Sequence, residues 1–144
     1  MIKIICVGKI KEAFYRDAIA EYLKRMSKYH KVEIVEVADS NIKAEKDLIL
    51  KKIDKKDYIV TLEILGNQVG SLEFSKLIDN TLINYSSICF IIGGSDGLDD
   101  EIKSLSNYKL SFSKMTFPHQ LFRVILLEQI YRAFKIMNNE SYHK

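Results

Sequence analysis

Short apolar runs alternate along this chain with stretches of helical periodicity, and that alternation limits the fold more than any other feature. Residues 2–7 (Ile-Lys-Ile-Ile-Cys-Val) read as a buried strand closed by Gly8. Residues 12–29 then read as a helix, with Tyr15, Ile19, Tyr22, Leu23 and Met26 on one stripe. Residues 32–37 form a strand. A helix over roughly 42–56 places Ile42, Ile49 and Ile53 on one side. Residues 58–64 form the next strand, ended by Gly66-Asn67. Ser71 is the expected N-cap of a helix carrying Phe74, Leu77, Ile78 and Leu82. Residues 88–92 (Ile-Cys-Phe-Ile-Ile) are apolar throughout, which predicts a central strand buried on both faces. A short helix near 98–105 and a short strand near 108–112 follow.

The last helix starts near Pro118, the only proline, and runs to about Met137. Its apolar residues lie on two sides: Phe122, Ile125, Leu126, Ile130, Ala133 and Met137 on one, Val124, Leu127, Tyr131 and Phe134 on the other. Such a helix must be covered twice. One cover is the sheet, and a second subunit is the expected other. The β-α order predicts a three-layer α/β fold with a mostly parallel sheet, in a single domain over 1–144. Ligands bind such sheets beyond the carboxyl ends of the strands.

No apolar run approaches the roughly 18 residues of a membrane span. The apolar start lacks a basic n-region and a cleavage site, so it reads as a strand rather than a signal peptide. Cys6 and Cys89 sit inside strand-like runs and are expected to be buried free thiols, with neither a disulfide framework nor a metal site. A cytoplasmic location is the default expectation. Net charge is +3, but unevenly spread. Residues 1–35 and 109–144 each carry +4 and the middle carries −5, counted from Lys, Arg, Asp and Glu. If the fold joins the two ends, they form a basic surface suited to a polyanion. The alternative is solvated helix faces.

Two loops lie where a ligand should sit. Gly93-Gly94-Ser95-Asp96-Gly97 follows a strand and precedes a helix. It is neither G-x-G-x-x-G nor a P-loop, and it reads either as a close approach of backbone to ligand or as a tight turn. Residues 110–117 (Leu-Ser-Phe-Ser-Lys-Met-Thr-Phe) lead into the last helix and suit an adenosine gripped by backbone groups, or an ordinary connection. His119 and Arg123 lie in the first turns of that helix, where anions are favoured. The polar end, Glu140-Ser141-Tyr142-His143-Lys144, combines a stacking ring with a proton-handling imidazole.

At this point a family resemblance enters. Val7-Gly8-Lys9, Glu21-Tyr22-Leu23-Lys24-Arg25, Thr61-Leu62-Glu63 with Gly66, Ile92 through Leu98, and Pro118-His119-Gln120-Leu121-Phe122-Arg123-Val124 continuing to Ala133 together resemble the RlmH family. These are small SPOUT-class methyltransferases, and the resemblance covers nearly the whole chain. It implies an α/β knot, with the C-terminal part of the chain forming a trefoil. It implies S-adenosyl-L-methionine bound at Leu62, Gly93 and Phe112, Ser113, Lys114, Met115, Thr116 and Phe117. It implies methylation of N3 of a pseudouridine in helix 69 of large-subunit ribosomal RNA, on the assembled ribosome, by a homodimer with no metal. His143, Tyr142, Arg132 and His119 are then the expected catalytic residues, and Lys9, Arg25, Arg123 and Arg132 the expected RNA contacts. Ser141 stands where the family usually has proline, which should loosen the tail.

Transfer is expected to be direct, with alignment contributing more than base catalysis. Two rival readings are a non-enzymatic RNA- or ribosome-binding factor on the same fold, which binds no cofactor, and a nucleotide hydrolase. The second wants a phosphate loop or clustered carboxylates. The one acidic cluster, Asp96, Asp99, Asp100 and Glu101, fits better as a turn and the first turn of a helix.

Overall fold

The computed structural model describes residues 1–144. In chain order the elements are β1 (Ile2–Val7), α1 (Ala13–Met26), β2 (Val32–Val37), α2 (Ile42–Leu50), β3 (Asp57–Gln68), α3 (Ser71–Asn84), β4 (Ser87–Ile92), α4 (Asp100–Ser104), β5 (Tyr108–Ser111) and α5 (His119–Met137). One sheet runs β2-β1-β4-β3-β5, and every strand pair in it is parallel. The strand expected to be central is central.

The three layers follow from alternation within the strands. Ile2, Ile4 and Cys6 of β1 join Ile88, Phe90 and Ile92 of β4 in one core, closed by Met26, Phe74, Ile78 and the buried face of α5. Ile5 and Val7 join Cys89 and Ile91 in a second core, closed by Ile49 of α2 and Ile102 of α4. Helices α1, α3 and α5 therefore cover one side, and α2 and α4 the other. Burial pushes the thiols of Cys6 and Cys89 up to about 12, so neither is a nucleophile near neutral pH.

Several boundaries differ from the sequence reading, each for a local reason. Helix α2 ends at Leu50 rather than near 56, because Asp54 offers competing partners. Its carboxylate accepts from Lys56 N–H and its carbonyl from Asp57 N–H. Gly70, not Ser71, caps α3. The Ser71 hydroxyl instead donates to Gln129 on α5, which ties the two helices together. Pro118 is the N-cap of α5 rather than a first-turn residue, and its carbonyl accepts from Phe122 N–H.

The second cover of α5 was expected from another subunit. Most of it comes from this chain. Ile19, Tyr22 and Leu23 of α1 pack against the same core as Leu126, Leu127, Ile130 and Phe134, and α3 flanks the other side. Leu121, Val124, Ile125, Glu128 and Arg132 are among the residues of α5 that remain half-buried, and they form one stripe. The two basic ends of the chain do meet, as neighbouring helices.

At the far end of the sheet, the ammonium of Lys3 lies 2.7 Å from the Asp57 carboxylate and donates to the carbonyl of Lys52. Burial alone would raise the Asp57 carboxyl. Bonds from Lys3, Ser87 and the Asp54 N–H outweigh it and hold the group below its ordinary range. That stabilisation is present above the unfolded carboxyl value and is lost as pH falls through the depressed folded one. Lys3→Met strands a buried carboxylate and is expected to cost about 3–5 kcal/mol in urea unfolding at pH 7. A loss under about 1 kcal/mol would show that the pair is not what balances Asp57.

Candidate functional site

A cavity of about 550 Å³ opens beyond the carboxyl ends of β3, β4 and β5. Three loops build it: the end of β3, the glycine loop after β4, and the β5–α5 connection. The glycine loop doubles back on itself. A Cβ on Gly93 would lie 2.7 Å from the Gly97 carbonyl oxygen, so only glycine fits. Gly97 itself has φ +79°, the left-handed region.

The end of β3 was not legible in advance. The strand continues to Gln68, but its pairing with β5 jumps from Leu62 opposite Leu110 to Asn67 opposite the same residue. Residues 63–66 leave the ladder as an arch over the cavity. Gly66 lets the arch return, since a Cβ there would meet the Lys109 carbonyl at 2.8 Å. The Ser111 hydroxyl donates to the Ile64 carbonyl and the Asn67 amide to that of Lys109, which pins both feet of the arch. Leu65 at its crest is 98% exposed. The signal in the sequence was the adjacent pair Ile64-Leu65, which breaks the inside–outside alternation of a strand.

The third wall combines hydroxyls with rings. Phe112 and Phe122 meet edge to face with centroids 5.0 Å apart, and Phe117 lies 5.9 Å from Phe122. Ser113 Oγ accepts from Met115 N–H and turns the loop. Leu62, Gly93, Phe112, Ser113, Met115, Thr116, Phe117 and His119 all line the cavity. Lys114 does not; its side chain is exposed.

A second cluster forms at the other end of α5. Asn139 (φ 54°) takes the left-handed position after the helix. Glu140 N–H then donates to the Lys135 carbonyl and Asn139 N–H to that of Ile136, a Schellman turn that sends the tail back along the helix. The Tyr29 hydroxyl donates to Glu140 at 2.6 Å, and Lys135 pairs with it at 3.2 Å. Arg132 donates to Glu128, lies 3.1 Å from His143 Nδ1, and stacks 4.7 Å over the Tyr142 ring. Tyr142 donates to Glu128 and meets Tyr131 edge on. Side chains therefore tie the tail to the helix even with Ser141 in the proline position. Arg25 extends this aromatic and cationic surface, with its guanidinium 5.7 Å from the Tyr131 ring.

A family model described as "Predicted SPOUT methyltransferase" matches residues 1–143. The chain belongs to the SPOUT methyltransferase family. It is 54% identical to the ribosomal RNA large subunit methyltransferase H of Clostridium botulinum (strain Kyoto / Type A2), over 99% of both chains. A relative from Methanococcus maripaludis is 52% identical over the same shares. Among solved structures, a probable methylase family protein from Haemophilus influenzae superposes with a TM-score of 0.60 at 11% identity, over 99% of this chain and 70% of the other. A tRNA (m1G37) methyltransferase from Aquifex aeolicus superposes at 0.53 and 16%, over 91% and 69%. At those identities the structures speak for the fold alone.

In this SPOUT chain the expected site residues fall into two groups. His119 stands on the cavity wall. Arg132, Tyr142 and His143 cluster about 20 Å away, at 13 residues along the same helix. Lys9 and Arg25 are exposed, as an RNA contact requires. Arg123 is not, and its expected role as an RNA contact does not hold. The side chain is 1% exposed and pairs with Glu36 at 2.7 Å. It also donates to the carbonyls of Val7 and Gly8, fastening α5 to the end of β1.

Gly93→Ala must push the Gly97 carbonyl aside, and a loss of about 1–3 kcal/mol in stability is expected. Thermal unfolding checks it, and an unchanged melting temperature would mean the loop yields freely. The tail carries a pH signature. The Tyr29 hydrogen bond, aided by Lys135, holds Glu140 below the ordinary carboxyl range. The tie is fully present above the ordinary value and is lost as pH falls through the depressed one. Amide protection factors of residues 140–143, taken relative to the intrinsic exchange rate at each pH, should fall through that acid window while the central strands stay protected.

Proposed function

We propose that this protein methylates N3 of a pseudouridine in the helix 69 loop of large-subunit ribosomal RNA, on the assembled ribosome, as a homodimer using S-adenosyl-L-methionine. One observation carries the reading: a cavity built from the glycine loop, the β3 arch and the hydroxyl-rich β5–α5 loop, in a chain 54% identical to a large-subunit ribosomal RNA methyltransferase. Its volume of about 550 Å³ falls within the range of cofactor sites. The walls combine apolar side chains for a purine with backbone groups freed by glycine, so the residues present fit the group.

S-adenosyl-L-methionine supplies an electrophilic methyl on a sulfonium. The chain supplies position. Leu62, Gly93, Phe112, Ser113 and residues 115–117 hold the nucleoside end through backbone and ring contacts, and Phe112, Phe117 and Phe122 keep water from it. Arg132, Tyr142 and His143 receive the RNA base. Arg132 stabilises negative charge as the imide N–H is lost, and Tyr142 offers a stacking face. His143 or His119 takes the proton. No cysteine takes part. A trefoil knot belongs to this proposal on the strength of the SPOUT family alone.

The roughly 20 Å between cavity and tail supports the dimer. One subunit's tail must reach its partner's cavity for both groups to act on one base. The half-buried stripe from Leu121 to Arg132 joins the two places and is the proposed seam. The tail surface of Tyr22, Arg25, Tyr131 and Arg132 then lies beside the bound RNA, where salt should weaken binding.

Mass spectrometry of ribosomal RNA from cells lacking the protein tests the target: one methyl on one pseudouridine should vanish and return with the gene. Loss of no methyl would defeat the assignment. Calorimetry with S-adenosyl-L-methionine separates the enzyme from a binding factor of the same fold, which would give no heat. Within the reaction, His143→Ala is expected to slow turnover less than about a hundredfold, because alignment outweighs base catalysis. An undiminished rate would remove His143 from the chemistry altogether.

A further inference from the structure

The cavity holds two opposite charges that have no ion-pair partner in the protein. Lys103, on α4, and Glu63, on the β3 arch, both line it. Neither forms an ion pair, with the other or with any group. Lys103 makes no side-chain hydrogen bond. Glu63 accepts only one, from the buried hydroxyl of Thr61 at 2.6 Å, and Thr61 is in turn linked to Ser106. That bond aims the Glu63 carboxylate and leaves its other oxygen free.

Unpaired charges on an exposed face are ordinary. An ammonium and a carboxylate set apart in one partly enclosed cavity are different. Enclosure strengthens their interaction with whatever enters, and water satisfies them less well there than outside. The matching ligand carries a carboxylate and an ammonium a few ångströms apart, which is an α-amino acid. The wall that carries Phe112, Phe117 and Phe122 suits a flat apolar ring.

From this juxtaposition we infer that Lys103 and Glu63 read the amino-acid end of the cofactor, Lys103 taking its carboxylate and Glu63 its ammonium. The inference rests on the cofactor reading above and deepens it. Backbone groups and rings give the nucleoside its place, and the two side chains require the amino acid to be present. They are specificity-determining residues, and no reacting atom depends on them. A charge-assisted contact of this kind corresponds to about a tenfold change in affinity.

Calorimetry on the full-length protein with three ligands tests it: S-adenosyl-L-methionine, S-adenosylhomocysteine, and methylthioadenosine, which lacks the amino-acid end. Wild type is expected to bind the first two at least tenfold more tightly than the third. Lys103→Met and Glu63→Gln should each weaken the first two about tenfold and leave methylthioadenosine unchanged. A merely structural role would weaken all three equally, and that result overturns the inference. So does an unchanged affinity for all three in both variants, which would make the charges bystanders or contacts for RNA. If wild type binds none of the ligands, the cofactor reading itself fails, a result distinct from either.

Discussion

The burial of β1 and β4 on both faces is the constraint from which the rest follows. Their side chains point alternately into two separate cores, and neither face can be left to water. Helices must therefore cover both sides. With both faces closed and every strand parallel, the carboxyl edge is where backbone groups and polar side chains can gather. Three of the five strands end there in loops shaped by glycine or hydroxyl residues, and the cavity is the space they enclose. The chemistry is confined to an edge because the hydrophobic effect has claimed the faces.

This confinement explains what the sequence made legible. The apolar run at 88–92 announced a doubly buried strand, and it is the centre of the sheet. The glycine loop and the residues around 112–117 fell where ligands bind, and both line the cavity. Periodicity could not show which charges would be buried. Arg123 reads like any arginine near a helix start, yet its partners lie 87 to 116 residues away. Only tertiary structure brings Glu36 and the Val7 carbonyl to it. The β3 arch escaped for a similar reason. The sequence marks an end to the strand at Gly66-Asn67, but the return to the ladder at Asn67 is fixed by the short partner strand β5 and by contact with Lys109.

The tail shows how side chains can stand in for a stiff backbone. A proline would stiffen the backbone at position 141, and serine does not. The position of Tyr142 and His143 depends instead on a helix terminus with Asn139 in a left-handed conformation and on the bonds made by Glu140 and Arg132. Asparagine tolerates that conformation better than most residues with a side chain. Order in the tail thus comes from cross-helix side-chain contacts, which a reading of the tail alone would not reveal.

The Arg123 fastening has a kinetic side as well. It joins the end of the first strand to the last helix, so that junction cannot be completed until the start of the last helix is available. A nascent chain can pair β1 with β2 early, but the carbonyls of Val7 and Gly8 wait for a guanidinium made more than a hundred residues later. Contacts of such long sequence separation slow folding. Maturation of this small protein should be governed less by the strength of its cores than by the arrival of its last helix.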